Sequence, residues 1–199
     1  MKRIALFIIC QFLFLGCQHK EHNPVNESVQ PENAVAAKSN DAGHCIEKFK
    51  ELRDVLYSGN KEEFKQYFSF PVLNSEVWSL IAKSKGNYEG KKYNDPFTEA
   101  DYDNHFDLIF TPHFINALLK IKPKELFEKG KFITPHIIES GADVRTEYFM
   151  QAEYYEEDEL ILALNYEFYS EDEKTESAIV YFFTLKDCKP IFNKVMIAG

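Results

Sequence analysis

The chain has 199 residues, of which 45% are apolar, 28% charged and 15% aromatic, which excludes a disordered or collagen-like chain and fits one globular domain. The formal charge of -9 argues against a phosphate-neutralising surface, because nucleic-acid affinity comes chiefly from Lys and Arg displacing counterions. The 18 Phe and 11 Tyr can fill a core without metal or dense disulfides.

Met1-Lys2-Arg3, the apolar stretch Ile4 to Leu15 and Gly16-Cys17 have the layout of a secretory signal over residues 1–16. The apolar run is about a dozen residues, short of the about 20 that a membrane-crossing helix needs. Phe14-Leu15-Gly16-Cys17 resembles a bacterial lipobox, which implies that Cys17 carries lipid and becomes the mature N-terminus. The alternative is an ordinary cleaved signal with an incidental Cys17, and Cys10 is a poorer candidate because Ile9 precedes it. Loss of residues 1–16 removes Lys2 and Arg3 but no acid, shifting the charge from -9 to -11. Residues 17–43 are polar and read as a tether with a reach of roughly 30 Å, placing the domain at residues 44–199. Gln18-His19 in place of an Asp after Cys17 implies, by resemblance to enterobacterial lipoproteins, an outer-membrane anchor facing the periplasm.

Ile46, Phe49, Leu52, Val55 and Leu56 recur at helical spacing from Cys45 to Tyr57, and Ser58-Gly59 is a stop. Asn60 with Glu63 predicts a capped second helix that Phe70-Pro71 interrupts. Ser75 starts a third helix carrying Trp78 and Ile81, and residues 83–97 form a loop. Thr98 and Asp101 have capping-box spacing ahead of Tyr102, Phe106, Ile109 and Phe110. Thr111-Pro112 restarts the chain as a helix to about Ile121, and a last turn over Lys124–Glu128 ends at Gly130. The period then changes toward 2, and segments 144–155, 159–169, 177–186 and 190–198 read as consecutive antiparallel strands. In the second strand Leu160, Leu162, Leu164, Tyr166 and Phe168 point one way and Ala163, Asn165 and Glu167 the other, so one sheet face carries the helices.

With Cys10 in the signal and Cys17 lipidated, Cys45 and Cys188 remain. An even pair in an exported domain points to a disulfide joining the domain's beginning to its end, two free thiols being the alternative. Neither has a CxxC companion, which leaves metal or redox use without support.

The predicted class is α+β, with N-terminal helices packed on a curved antiparallel sheet. Phe49 to Gly59, Phe68-Ser69-Phe70-Pro71 and Tyr102 through Phe114 are similar to segments of exported NTF2-like domains of Gram-negative bacteria, and the chain resembles that cone-shaped superfamily over most of residues 45–197. It differs at Ala142-Asp143-Val144-Arg145, where such domains often carry a Gly-rich segment ending in Trp. The resemblance implies a sheet wrapped around the first helix, and pairing of two sheets into a homodimer.

Enzymes of that superfamily place acid and base groups inside the cone, which makes Asp101, Tyr102, Asp103, His105 and Asp107 the proton-transfer candidates. Successive helical positions diverge by about 100°, so two or three of these at most share a cavity, and capping already explains Asp101. His105 and His113 stand across a helix break, and there is no HExxH or paired Cys/His pattern and no GxSxG elbow. Catalytic residues, metal and cofactor are therefore all expected to be none.

What stands out is charge: from Glu147 to Glu176 there are 11 acids against the single base Lys174. They cluster at Glu156, Glu157, Asp158 and Glu159 and at Glu171, Asp172 and Glu173, expected as turns forming one anionic rim. One reading is that turn acids keep an aromatic sheet soluble and guard its edges. The sharper one is contact with a basic protein partner. The functional expectation is a non-catalytic, lipid-anchored binding or inhibitor protein, such as an immunity protein against an envelope-directed toxin. The competing expectation is a small-molecule isomerase, dehydratase or carrier using the cone cavity.

Overall fold

The computed structural model describes residues 32–73, 75–85, 94–141, 144–155, 158–170 and 173–199. The signal of residues 1–16, Cys17 and the first part of the expected tether lie outside them. Among the described residues six α-helices and a short 3₁₀ turn (Lys65–Tyr67) precede and cover a six-stranded antiparallel sheet, an α+β arrangement. The helices are α1 (Glu32–Ser58), α2 (Lys61–Phe64), α3 (Ser75–Lys85), α4 (Glu99–Ile109), α5 (Pro112–Leu118) and α6 (Pro123–Lys129). The strands are β1 (Lys131–Ile133), β2 (Ile137–Ser140), β3 (Arg145–Tyr155), β4 (Glu159–Tyr169), β5 (Lys174–Lys186) and β6 (Lys189–Ala198).

Capping chemistry sets several helix ends. The Asn60 side chain accepts the Glu63 amide at the start of α2, and Thr98 and Asp101 form a reciprocal capping box at the start of α4. Thr111 caps α5 with Pro112 in its first turn, and α6 ends at Gly130, whose φ of 74° is a left-handed conformation that glycine adopts at least cost. Helix α5 stops at Leu118 rather than near Ile121: the Lys120 and Ile121 amides donate to Ala117 and Leu118, three residues back, tightening the end before Pro123. Helix α1 begins at Glu32, inside the stretch expected as tether. Ala34, Ala36, Ala37 and Lys38 are strong helix formers, and the low apolar content of that stretch hides this.

The sheet runs β1-β3-β4-β5-β6, with β2 also on β3. Strands β1 and β2 were not expected from the sequence, since three or four residues are too few to show a period. Thr134 between them donates its amide to Met150 O at 2.9 Å and accepts the Met150 amide through Oγ1 at 2.9 Å, extending the pairing with β3. On the helix side of the sheet Tyr148, Met150, Leu160, Leu162, Leu164, Tyr181, Phe183 and Phe192 are buried. Rings fill the space above them. Phe110 lies within 6.1 Å, centroid to centroid, of Phe64, Phe68, Phe106, Phe114, Tyr181 and Phe192. Two buried hydroxyls tie α4 in place, Tyr102 donating to Lys61 O and Tyr181 to Ile109 O, each at 2.7 Å.

Helix α1 docks through three kinds of contact. Phe49 meets Phe127 of α6 edge to face, and Arg53 donates to Ile121 O at 2.8 Å. Cys45 is bonded to Cys188 in the β5–β6 turn, with 4.6 Å between their Cα atoms. The cysteine pair is thus a disulfide that clasps the first helix to the last hairpin.

Candidate functional site

The α4 residues considered for proton transfer are each engaged, and in different directions. Asp101 accepts from Thr98 Oγ1 at 2.6 Å within the cap. Tyr102 donates to Lys61 O, Asp103 pairs with Lys65 at 2.9 Å, and Asp107 pairs with Lys61 at 2.6 Å. His105 is buried edge-on against Trp78, and burial holds its imidazole below the ordinary value of 6.5. His105 and His113 do not converge either, since His113 lies on Tyr148 and pairs with Glu139 at 3.2 Å.

The acidic turns do not make one rim. Asp158 and Glu159 begin β4, whereas Glu173 follows its far end; β4 has 11 residues, a separation of roughly 30 Å. Consecutive antiparallel hairpins must alternate between the two ends of a sheet, so acids in successive turns are driven apart. Glu156, Glu157, Glu171 and Asp172 lie outside the described residues. Asp158 is engaged through its backbone, accepting the Leu185 amide at 2.6 Å.

The charges that do converge lie on the sheet face away from the helices, and strand register is what assembles them. Arg145, Tyr169 and Lys174 stand opposite one another across β3, β4 and β5. The next outward-facing row is Glu147, Glu167 and Glu176, and the next is Phe149, Asn165 and Ala178. A row of three carboxylates on neighbouring strands is repulsive unless cations attend it. Arg145 pairs with Glu147 Oε1, and Lys174 bridges Glu167 at 3.3 Å and Glu176 at 2.7 Å. Both cations also lie over the Tyr169 ring. His136 stacks on Phe149, with centroids 4.3 Å apart, and its Nδ1 is 3.0 Å from Glu147 Oε2.

This network leaves its mark on protonation. The Tyr169 hydroxyl, then Lys174, hold Glu167 below the usual carboxylate range. Glu176, then Glu167, push Lys174 above its ordinary value. Glu167 in turn raises Tyr169. The sequence showed Glu167 as outward-facing, but not that Glu147 and Glu176 flank it or that His136 reaches the row.

Farther along the same face apolar residues mix with polar ones: Ile161, Ala163, Val180 and Phe182 are half-buried and Met196 is 45% exposed, in rows shared with Gln151, Glu153 and Lys194. Lys194 lies 4.4 Å above the Phe182 ring. On the helix side, an open groove of about 320 Å³ runs between α3 and the sheet, lined by Leu80, Tyr166, Phe168, Ile179 and Ile197 with Lys83 at its edge. Burial pushes Tyr166 up to about 12. No helix among the described residues is long and apolar enough to cross a membrane. No protein-family model, curated protein or solved structure matches the chain.

Proposed function

We propose that the chain is a lipid-anchored binding protein of the cell envelope, built as an NTF2-like cone, that acts by contact through the open face of its sheet. The observation that carries this reading is a division of labour between the two sheet faces. The helix side is packed with Phe and Tyr rings, whereas the other side presents half-buried Ile161, Val180 and Phe182 flanked by Glu153 and Lys194, two to three outward rows from the Glu147, Glu167, Glu176 row. A patch of apolar residues rimmed by charge is the anatomy of a protein contact surface. The acidic excess suits a basic partner, and an inhibitor of an envelope-directed toxin fits that description. The disulfide supports an oxidising compartment, as the signal and the Gly16-Cys17 junction do.

Photo-crosslinking in cells tests the contact surface. A benzophenone side chain at Ile161 or Val180 is expected to give a discrete adduct, and one at Tyr57, exposed on α1, none. Adducts equal at all three positions, or absent from the sheet, would remove the reading. Labelled palmitate entering the wild type but not Cys17→Ser tests the anchor. A carrier of apolar small molecules is the second reading, favoured by the groove at Leu80 and Ile197. Tyr166 and Lys83 are titratable groups that line it, and burial, which pushes Tyr166 up to about 12, keeps its hydroxyl protonated at neutral pH.

A further inference from the structure

We propose that His136, Glu147 and Glu167 form a binding site for a divalent first-row transition ion such as Zn²⁺. The three residues each offer a ligand atom within 4.8 Å of the others, and they mix one imidazole with two carboxylates, a donor set that suits Zn²⁺ and its neighbours better than Ca²⁺. Donors at 2.0–2.2 Å from Zn²⁺ sit roughly 3 to 3.5 Å from each other. The 3.0 Å between His136 Nδ1 and Glu147 Oε2 already matches that spacing, so only Glu167 has to swing inward.

The surroundings hold the ligands, and on Glu167 the Tyr169 hydroxyl donates to Oε2 while Lys174 stands at Oε1, the oxygen a cation would take over. Stacking on Phe149 fixes the His136 ring, and Arg145 binds Glu147 through Oε1, leaving Oε2 turned to His136. Lys174 touches both Glu167 and Glu176, and can withdraw onto Glu176 when a cation takes Glu167. Charge favours occupancy as well. The carboxylates of Glu147, Glu167 and Glu176 face two permanent cations, Arg145 and Lys174, and the side chain of Glu147 is only 11% exposed. A depression of about 230 Å³ lined by Phe149, Asn165, Glu167 and Glu176 opens at the Glu167 side of the cluster, where a hydrated ion would approach. This inference stands independently of what the sheet face contacts.

The test is Zn²⁺ added to the metal-free full-length chain. Zinc at about a hundredfold over its Kd is expected to raise the Tm by about 5–10 °C. His136→Phe keeps a ring on Phe149 but has no donor nitrogen, and Glu167→Gln weakens the second ligand; both are expected to lose most of the shift. Lys174→Met removes the competing cation and is expected to tighten binding. The wild type loaded with Co²⁺ supplies a readout that no variant's folding affects, a visible ligand-field band that Zn²⁺ displaces at one equivalent. Absence of both shift and band in the wild type would overturn the site. So would an undiminished shift in both His136→Phe and Glu167→Gln, which would place the metal elsewhere on the chain.

Discussion

Breaking the Cys45–Cys188 bond should cost more stability than any single substitution on the surface. The bond spans 143 positions, and loop-closure entropy for a loop of that length amounts to about 5 kcal/mol at 25 °C. For a domain of about 150 residues this is a fall in Tm of roughly 10–20 °C. The native contacts change little, because Cys45 is 2% exposed and stays packed in the core, holding its face of α1 inward, whether or not it is bonded. The loss therefore comes from giving the unfolded chain back its freedom. The assay is guanidinium unfolding followed through the buried indole of Trp78, on a chain with Cys10 and Cys17 replaced by Ser, comparing oxidised with reduced protein. The reduced protein should unfold at lower denaturant and with a steeper dependence, since an unlinked unfolded chain exposes more surface. Coincident curves would refute the reasoning and leave packing alone to hold α1 in place.

Phe110→Ala should cost about 3–5 kcal/mol, because its ring is surrounded by Phe64, Phe106, Phe114, Tyr181 and Phe192; chemical denaturation measures it, and a loss below about 1 kcal/mol would mean the rings collapse into the gap. Thr98→Ala should cost about 1 kcal/mol by leaving the first turn of α4 without its side-chain acceptor, whereas Thr98→Ser should restore most of it. His105 supplies a pH dependence of definite sign. Its folded pKa lies below 6.5 through burial, with Lys85 adding to the effect and Asp101 opposing it, so the unfolded chain binds more protons in the window below 6.5. Stability from this residue is complete above 6.5 and is lost as pH falls through that window toward the folded pKa. Urea titrations at about pH 7.5 and about pH 5.5 should show a smaller drop for His105→Asn than for the wild type. Equal drops would exclude His105 as the cause.

Whatever depends on a few neighbouring residues was legible in the sequence. Asn60 with Glu63, Thr98 with Asp101, Thr111-Pro112 and Gly130 mark helix ends through hydrogen bonds that close within three or four residues, and the structure keeps each of them. The long strands β3 to β6 announced themselves by alternation, since one buried face imposes a period of 2. The cysteine pair followed from counting. Contacts between distant residues were not legible. Strands β1 and β2 exist because β3 offers them an edge, and acids read as one rim lie at opposite ends of β4 because hairpins alternate. The row Glu147, Glu167, Glu176, and the approach of His136 to it, depend on which residue of one strand faces which residue of the next. A shift of one position would turn every one of those side chains to the other face, so the cluster belongs to the tertiary register and to no local pattern.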